Sequence, residues 1–169
     1  MVSFGNYWHT HPMSRMMRTR QSQLDEISKQ IVEQLQIDGR KSYAEIGKVV
    51  GLSEAAVRQR VQKLNESGVM QVVAVTDPMR LGFNRQAMIG IKASGDVSAV
   101  AESLSKIAQV DYVVMTAGGF DLLVEVVCEN DDDLINLLNN QIRQHPNVIS
   151  AETFVYLKLH KQFYSWGTR

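Results

Sequence analysis

Between Leu24 and Gly68 the apolar residues recur at three- and four-residue steps in three short bursts, each closed by a glycine. Leu24, Ile27, Ile31, Val32 and Leu35 make the first stripe, which Gly39 ends. Ile46, Val49 and Val50 make the second, which Gly51 ends. Val57, Val61 and Leu64 make the third, which Gly68 ends. Such spacing predicts helices over about Asp25–Asp38, from Ser42 to Gly51, and from Ser53 to about Ser67. Asp25, Ser42 and Ser53 stand at N-cap positions, and Glu45 follows Ser42 by three residues, the capping-box pattern. Helices this short are marginal alone in water, so they must bury their stripes on one another. The feature demands a small tri-helical unit, expected over residues 23–69, with Gly51-Leu52-Ser53 as its tight turn, compact core residue and next cap.

Beyond it the period changes. Ala87, Ile89, Ile91 and Ala93 alternate as a strand, and Val97, Val100, Ala101, Leu104, Ile107 and Ala108 return to helical spacing. Val110–Thr116 reads as a strand, Gly118-Gly119 as a turn, and Leu122–Cys128 as the strand after it. Asp131 is expected to cap a helix carrying Leu134, Leu137, Leu138 and Ile142. Pro146-Asn147 makes a turn, and Ile149–Leu159 a long final strand. The order β-α-β-β-α-β predicts an antiparallel sheet with both helices on one face. Its other face stays open unless a second copy covers it, so a dimer is expected. The fold class is α+β: an N-terminal helix-turn-helix (winged-helix-like) domain, then a βαββαβ ferredoxin-like sandwich over 86–169. Residues 70–85 are expected to link them, with Met70–Val75 as an extended strand. Residues 1–22 lack any sustained period and read as a flexible tail, either inert or contacting phosphate through Arg15, Arg18 and Arg20. A start codon placed upstream of the true one gives the same tail, and His9 and His11 read as a solvated pair.

Composition removes several classes. A hydrophobic content of 44% and a charged content of 21% are ordinary for a globular chain. No apolar run nears the roughly 18 residues of a membrane-spanning helix. No secretory h-region opens the chain, so a cytoplasmic location is expected. The single cysteine, Cys128, permits no intrachain disulfide and no cysteine-built zinc site. No Ser/His/Asp or Cys/His arrangement or phosphate loop points to an enzyme, and Asp131-Asp132-Asp133 at a helix start suits capping better than a metal. No cofactor or metal is expected. The net charge is zero, yet residues 1–80 hold 11 basic and 8 acidic residues against 7 and 10 in residues 81–169. Only the front half is therefore suited to phosphate.

A helix enters the major groove when one face is anchored and the other carries polar or basic groups. With Val57, Val61 and Leu64 inward, the third helix turns out Glu54, Ala55, Arg58, Gln59, Gln62 and Lys63. Arg60 lies off this face, suited to a phosphate contact or an internal pair. The free N–H groups at the start of the second helix, near Ser42 and Tyr43, suit a phosphate oxygen, and Ser53, the cap of the third, is counted with the DNA-contacting residues. Double-stranded DNA is the expected partner.

The run LDEISKQIVEQLQIDGRKSYAEIGKVVGLSEAAVRQRVQKLNESGVM, Leu24–Met70, resembles the DNA-binding domain of the Lrp/AsnC (leucine-responsive, feast/famine) regulators, and GGFDLLVEV from Gly118 resembles that family's Gly-x-(aromatic)-Asp turn. The resemblance spans residues 24–160. It implies sheet-mediated homodimers that assemble into tetramers, octamers or hexadecamers. It also implies an amino acid or related small-molecule effector between dimers, held at Gly118, Gly119, Phe120 and Asp121. The residues themselves allow a plainer reading, a tight hairpin turn with an aromatic plug. Ser28, Ala117 and Gly119 depart from the family pattern, the last two by lacking a hydroxyl and an acid. A ligand-independent architectural protein that wraps DNA is the alternative.

Overall fold

Each expected stripe becomes the buried side of an element. The computed structural model describes residues 24–163, 167 and 168. The tail before Leu24, with Arg15, Arg18, Arg20 and the His9–His11 pair, lies outside the described residues. By contacts the chain divides into two units. One holds the described residues up to Val75 and those from Lys161 onward; the other is Thr76–His160.

In the first unit α1 is Glu26–Ile37, α2 Tyr43–Val50 and α3 Glu54–Glu66. Asp25, Ser42 and Ser53 cap them through side-chain acceptors, and at α2 the capping box closes in both directions. Ile31, Val32, Leu35, Ile46, Val57, Val61 and Leu64 form the core. Gly51 takes the left-handed conformation, φ 73°, that lets α2 stop and α3 begin three residues later. Val49 was expected inside but is 57% exposed, and the buried place beside Ile46 belongs to Gly47. A Cβ at Gly47 would lie 2.4 Å from the Leu52 carbonyl oxygen, so only glycine lets the turn close this tightly. The expected strand over Met70–Val75 does not form: these residues pair with no other strand among the described residues.

In the second unit β1 is Arg85–Ala93, α4 Val97–Leu104, β2 Val110–Met115, β3 Leu122–Cys128, α5 Asp131–Asn136 and β4 Val148–Val155. The sheet is antiparallel, ordered β2-β3-β1-β4. Ala87, Ile89, Ile91, Leu122, Val124, Val126 and Cys128 face Val100 and Leu104 of α4 and Leu134, Leu137 and Ile142. Period-2 alternation puts Met88, Gly90, Leu123, Glu125 and Phe154 on the opposite face, which no helix among the described residues covers.

Three expectations are corrected here. Asn130, not Asp131, caps α5, accepting from Asp133 N at 2.9 Å. Asp131 is instead forked by Arg85, with Nη2 2.9 Å from Oδ2. The helix then widens into a π-turn over Leu137–Ile142, which lets residues five apart, Leu137 and Ile142, both be fully buried. β4 ends at Val155 rather than Leu159. The Tyr156 N–H bond to Gln86 O, 2.9 Å, is the last such bond to β1, which begins only one residue before Gln86, at Arg85.

Candidate nucleic-acid interface and ligand turn

α3 is anchored by Val57, Val61 and Leu64, so Glu54, Ala55, Arg58, Gln59, Gln62 and Lys63 are exposed on its other side. Gln59 and Lys63 make no side-chain hydrogen bond or ion pair among the described residues, and Ala55 presents only a methyl group. Gln62 Nε2 donates to Glu66 Oε1 at 2.7 Å. Arg58 Nη2 donates to Glu54 Oε1 at 2.6 Å, and the same guanidinium lies 5.5 Å from the centre of the Tyr43 ring. Both contacts are within reach of charge-assisted and cation–π attraction.

Ser42 is already engaged. Its N–H donates to Glu45 Oε2 at 3.1 Å, its hydroxyl to the same oxygen at 2.6 Å, and Oγ accepts from Glu45 N at 3.3 Å. These bonds from the Ser42 hydroxyl and N–H hold the Glu45 carboxyl below its ordinary range. The N–H groups of Tyr43 and Ala44 find no protein acceptor among the described residues, whereas that of Ser42 is taken by Glu45. Ser53 Oγ likewise caps Ala56 N at 3.3 Å.

Arg60 is drawn inward. Its Nη1 donates to Asp25 Oδ2 at 2.6 Å and to Ser28 Oγ at 3.0 Å, tying α3 to the start of α1. Of the two roles foreseen for it, the internal pair is the one formed. Ser28 hydrogen bonds first, and Arg60 second, hold the Asp25 carboxyl down at about 2. Sequence reasoning missed Asp25 and Ser28 as partners, though a signal existed. Ser28 interrupts the buried stripe between Leu24 and Ile31, and a buried hydroxyl requires a partner.

The turn between β2 and β3 is tightly bonded. Thr116 N donates to Asp121 O at 2.9 Å and Thr116 Oγ1 to Phe120 O at 2.6 Å. Asp121 N donates to Ile91 O at 2.9 Å, and Asp121 Oδ2 accepts from Ala93 N at 2.9 Å. Asp121 thus pins the hairpin to the end of β1, with Oδ1 left over. Gly118 and Gly119 are exposed, with open space where a Cβ would point. Phe120 lies flat over Gly90, where a Cβ would meet its ring at 2.7 Å, and it meets Phe154 edge-on at 6.1 Å. On the same open sheet face, burial and then the Glu125 charge push the Tyr156 hydroxyl up to about 12. Among the described residues no group of three His, Cys, Asp or Glu side chains could hold a metal.

Comparison with known proteins identifies this arrangement. Residues 24–65 match the AsnC-type helix-turn-helix domain, and residues 83–169 match an AsnC-type C-terminal dimeric alpha+beta barrel domain. The HTH-type transcriptional regulator FL11 of Pyrococcus horikoshii is 38% identical over 82% of this chain and 93% of its own. The leucine response regulatory protein LrpA of Mycobacterium tuberculosis superposes with TM-score 0.75 at 27% identity, covering 82% of this chain and 96% of that one. A Neisseria meningitidis transcriptional regulator, solved as its L-Met complex, shares the fold with TM-score 0.73 at 24% identity, covering 84% and 95%. These relatives are regulators, not enzymes, and this chain belongs to the Lrp/AsnC family of DNA-binding transcription regulators.

Proposed function

We propose that the protein is a sequence-specific regulator of transcription whose DNA binding responds to an amino acid or related small metabolite. The observation that carries the reading is the exposed polar face of α3, held by three fully or nearly fully buried anchors, Val57, Val61 and Leu64. Ala55, Arg58, Gln59, Gln62 and Lys63 are the base-edge candidates, and the N–H groups of Tyr43 and Ala44 the phosphate clamp. The open sheet face, with Phe154 45% exposed, is covered by a second copy, and dimers join into tetramers or octamers. Two heads of such a dimer reach successive major grooves about 34–36 Å apart. The effector seats over Gly118 and Gly119, beside Phe120 and the free oxygen of Asp121; the L-Met complex of the meningococcal relative supports this class of ligand. The protein works in the cytoplasm.

The test is competition binding on genomic duplexes against random DNA at moderate salt, with thermal shift across the amino acids. Preference for particular fragments and a stabilising amino acid are expected. No preference for any fragment would remove the reading. A second reading, an architectural wrapper of DNA, is favoured by Asp121 being engaged with Ala93 and by the missing polar groups at Ala117 and Gly119. Tight binding with no response to any amino acid would select it.

A further inference from the structure

Two side chains from two helices converge on one guanidinium. Arg58 is bonded along α3 by Glu54, one turn earlier, and is roofed from α2 by the Tyr43 ring. Both Arg58 and Glu54 remain well exposed, at 64% and 51% of their side-chain surface. An exposed pair of this kind contributes little to stability. What it does is hold a long, otherwise wandering side chain in one place on the face that meets DNA.

We propose that Arg58 reads a guanine, that Glu54 both holds Arg58 in place and faces the paired cytosine, and that Tyr43 is a positioning residue. The proposal rests on α3 being the reading helix. Arginine has five N–H donors, and Glu54 occupies only one of its two terminal nitrogens, so the other edge is free for a bidentate contact. Guanine O6 and N7 accept such a fork, and the cytosine opposite offers an N4 donor that a carboxylate accepts. A joined Arg–Glu pair is therefore complementary to a G·C pair, cation to the purine and anion to the pyrimidine. The same carboxylate works against indiscriminate binding. It neutralises Arg58 where only phosphate is on offer and repels phosphate itself. Stacking on Tyr43 keeps the guanidinium from swinging to the backbone.

The experiment is selection of binding sites from a random duplex library by the full-length protein, repeated with E54Q, R58K and Y43F, followed by salt titration on the selected site. Glu54→Gln keeps shape and removes charge, Arg58→Lys keeps charge and removes the fork, and Tyr43→Phe keeps the ring. The wild type is expected to select a motif with a strong guanine. R58K and E54Q should lose preference at that base by roughly 5- to 150-fold while keeping the other positions. E54Q should also bind random DNA more tightly, with a salt slope steeper by about 0.9, since the freed arginine gains a phosphate. Y43F should retain the preference. Failure of the wild type to select any motif refutes the wider reading of function. A clear wild-type motif that E54Q and R58K reproduce at every base refutes this inference alone. Circular dichroism melts of all variants within a degree or two of wild type show that folding is not the cause.

Discussion

Gly47 sets two rules of thumb against each other, which makes Gly47→Ala an informative perturbation. The residue lies inside α2, where alanine is favoured over glycine by about 0.8–1.0 kcal/mol. On propensity alone the variant should be more stable. The space says otherwise. The added Cβ would sit 2.4 Å from Leu52 O and 3.5 Å from Leu52 C, both backbone atoms that no rotamer change can move. The turn must open by at least half an ångström to bring that contact beyond 3.0 Å. Overpacking of this sort costs about 1–3 kcal/mol. The same movement stretches the Leu52 N–H bond to Gly47 O, now 2.9 Å, which contributes about 0.5–1.5 kcal/mol. After the propensity gain, a net loss of about 0.5–3.7 kcal/mol remains. For a small domain that lowers the melting midpoint by several degrees, at about 4–8 °C per kcal/mol. Thermal melts, with hydrogen exchange resolving peptides across residues 43–66, measure it. DNA affinity should fall as well, because the turn that opens is the one that aims α3. A G47A protein that melts at or above the wild-type temperature would refute the packing argument and leave propensity in command.

Other perturbations test the remaining bonds. Asp25→Asn keeps the N-cap but removes the charge paired with Arg60; because the folded carboxyl titrates near 2 rather than 3.8, wild type should be more stable than D25N above pH 4, and the gap should close as pH falls toward 2. Urea unfolding at several pH values decides it, and a gap that stays constant down to pH 2 would count against the pair. Asp121→Ala orphans the Ala93 N–H and should cost about 1–2 kcal/mol with no ligand present, whereas Asp121→Asn, which still offers an oxygen, should cost less; equal losses would show that this bond carries nothing. Gly90→Ala should cost about 1–3 kcal/mol by driving into the Phe120 ring, and much less in a Phe120→Leu background; a double-mutant cycle that adds within about 0.5 kcal/mol would exclude the contact.

What the sequence made legible was local. Caps at Ser42 and Ser53, the left-handed stop at Gly51 and both periodicities could be read directly, because each depends on residues within one turn or one strand. Val49 could not be placed, since positions 49 and 50 point about 100° apart, one on either side of Ile46, and the decision fell to Gly47. The Leu137-to-Ile142 step was invisible to a 3.6-residue template. The end of β4 depended on where β1 begins, a partner about seventy residues away. At the site, the list of exposed α3 residues was legible, but their condition was not. That Arg60 is held by Asp25 and Ser28, and Arg58 by Glu54 beneath Tyr43, depends on how three helices cross.

The Phe120 ring resting on Gly90 joins two distant positions into one heritable choice. A larger residue at 90 costs stability unless 120 has already shrunk. A shrunken 120, in turn, leaves a hollow that descendants can refill from either side. Drift at this spot therefore has a direction: the aromatic goes first, and the glycine is released afterwards.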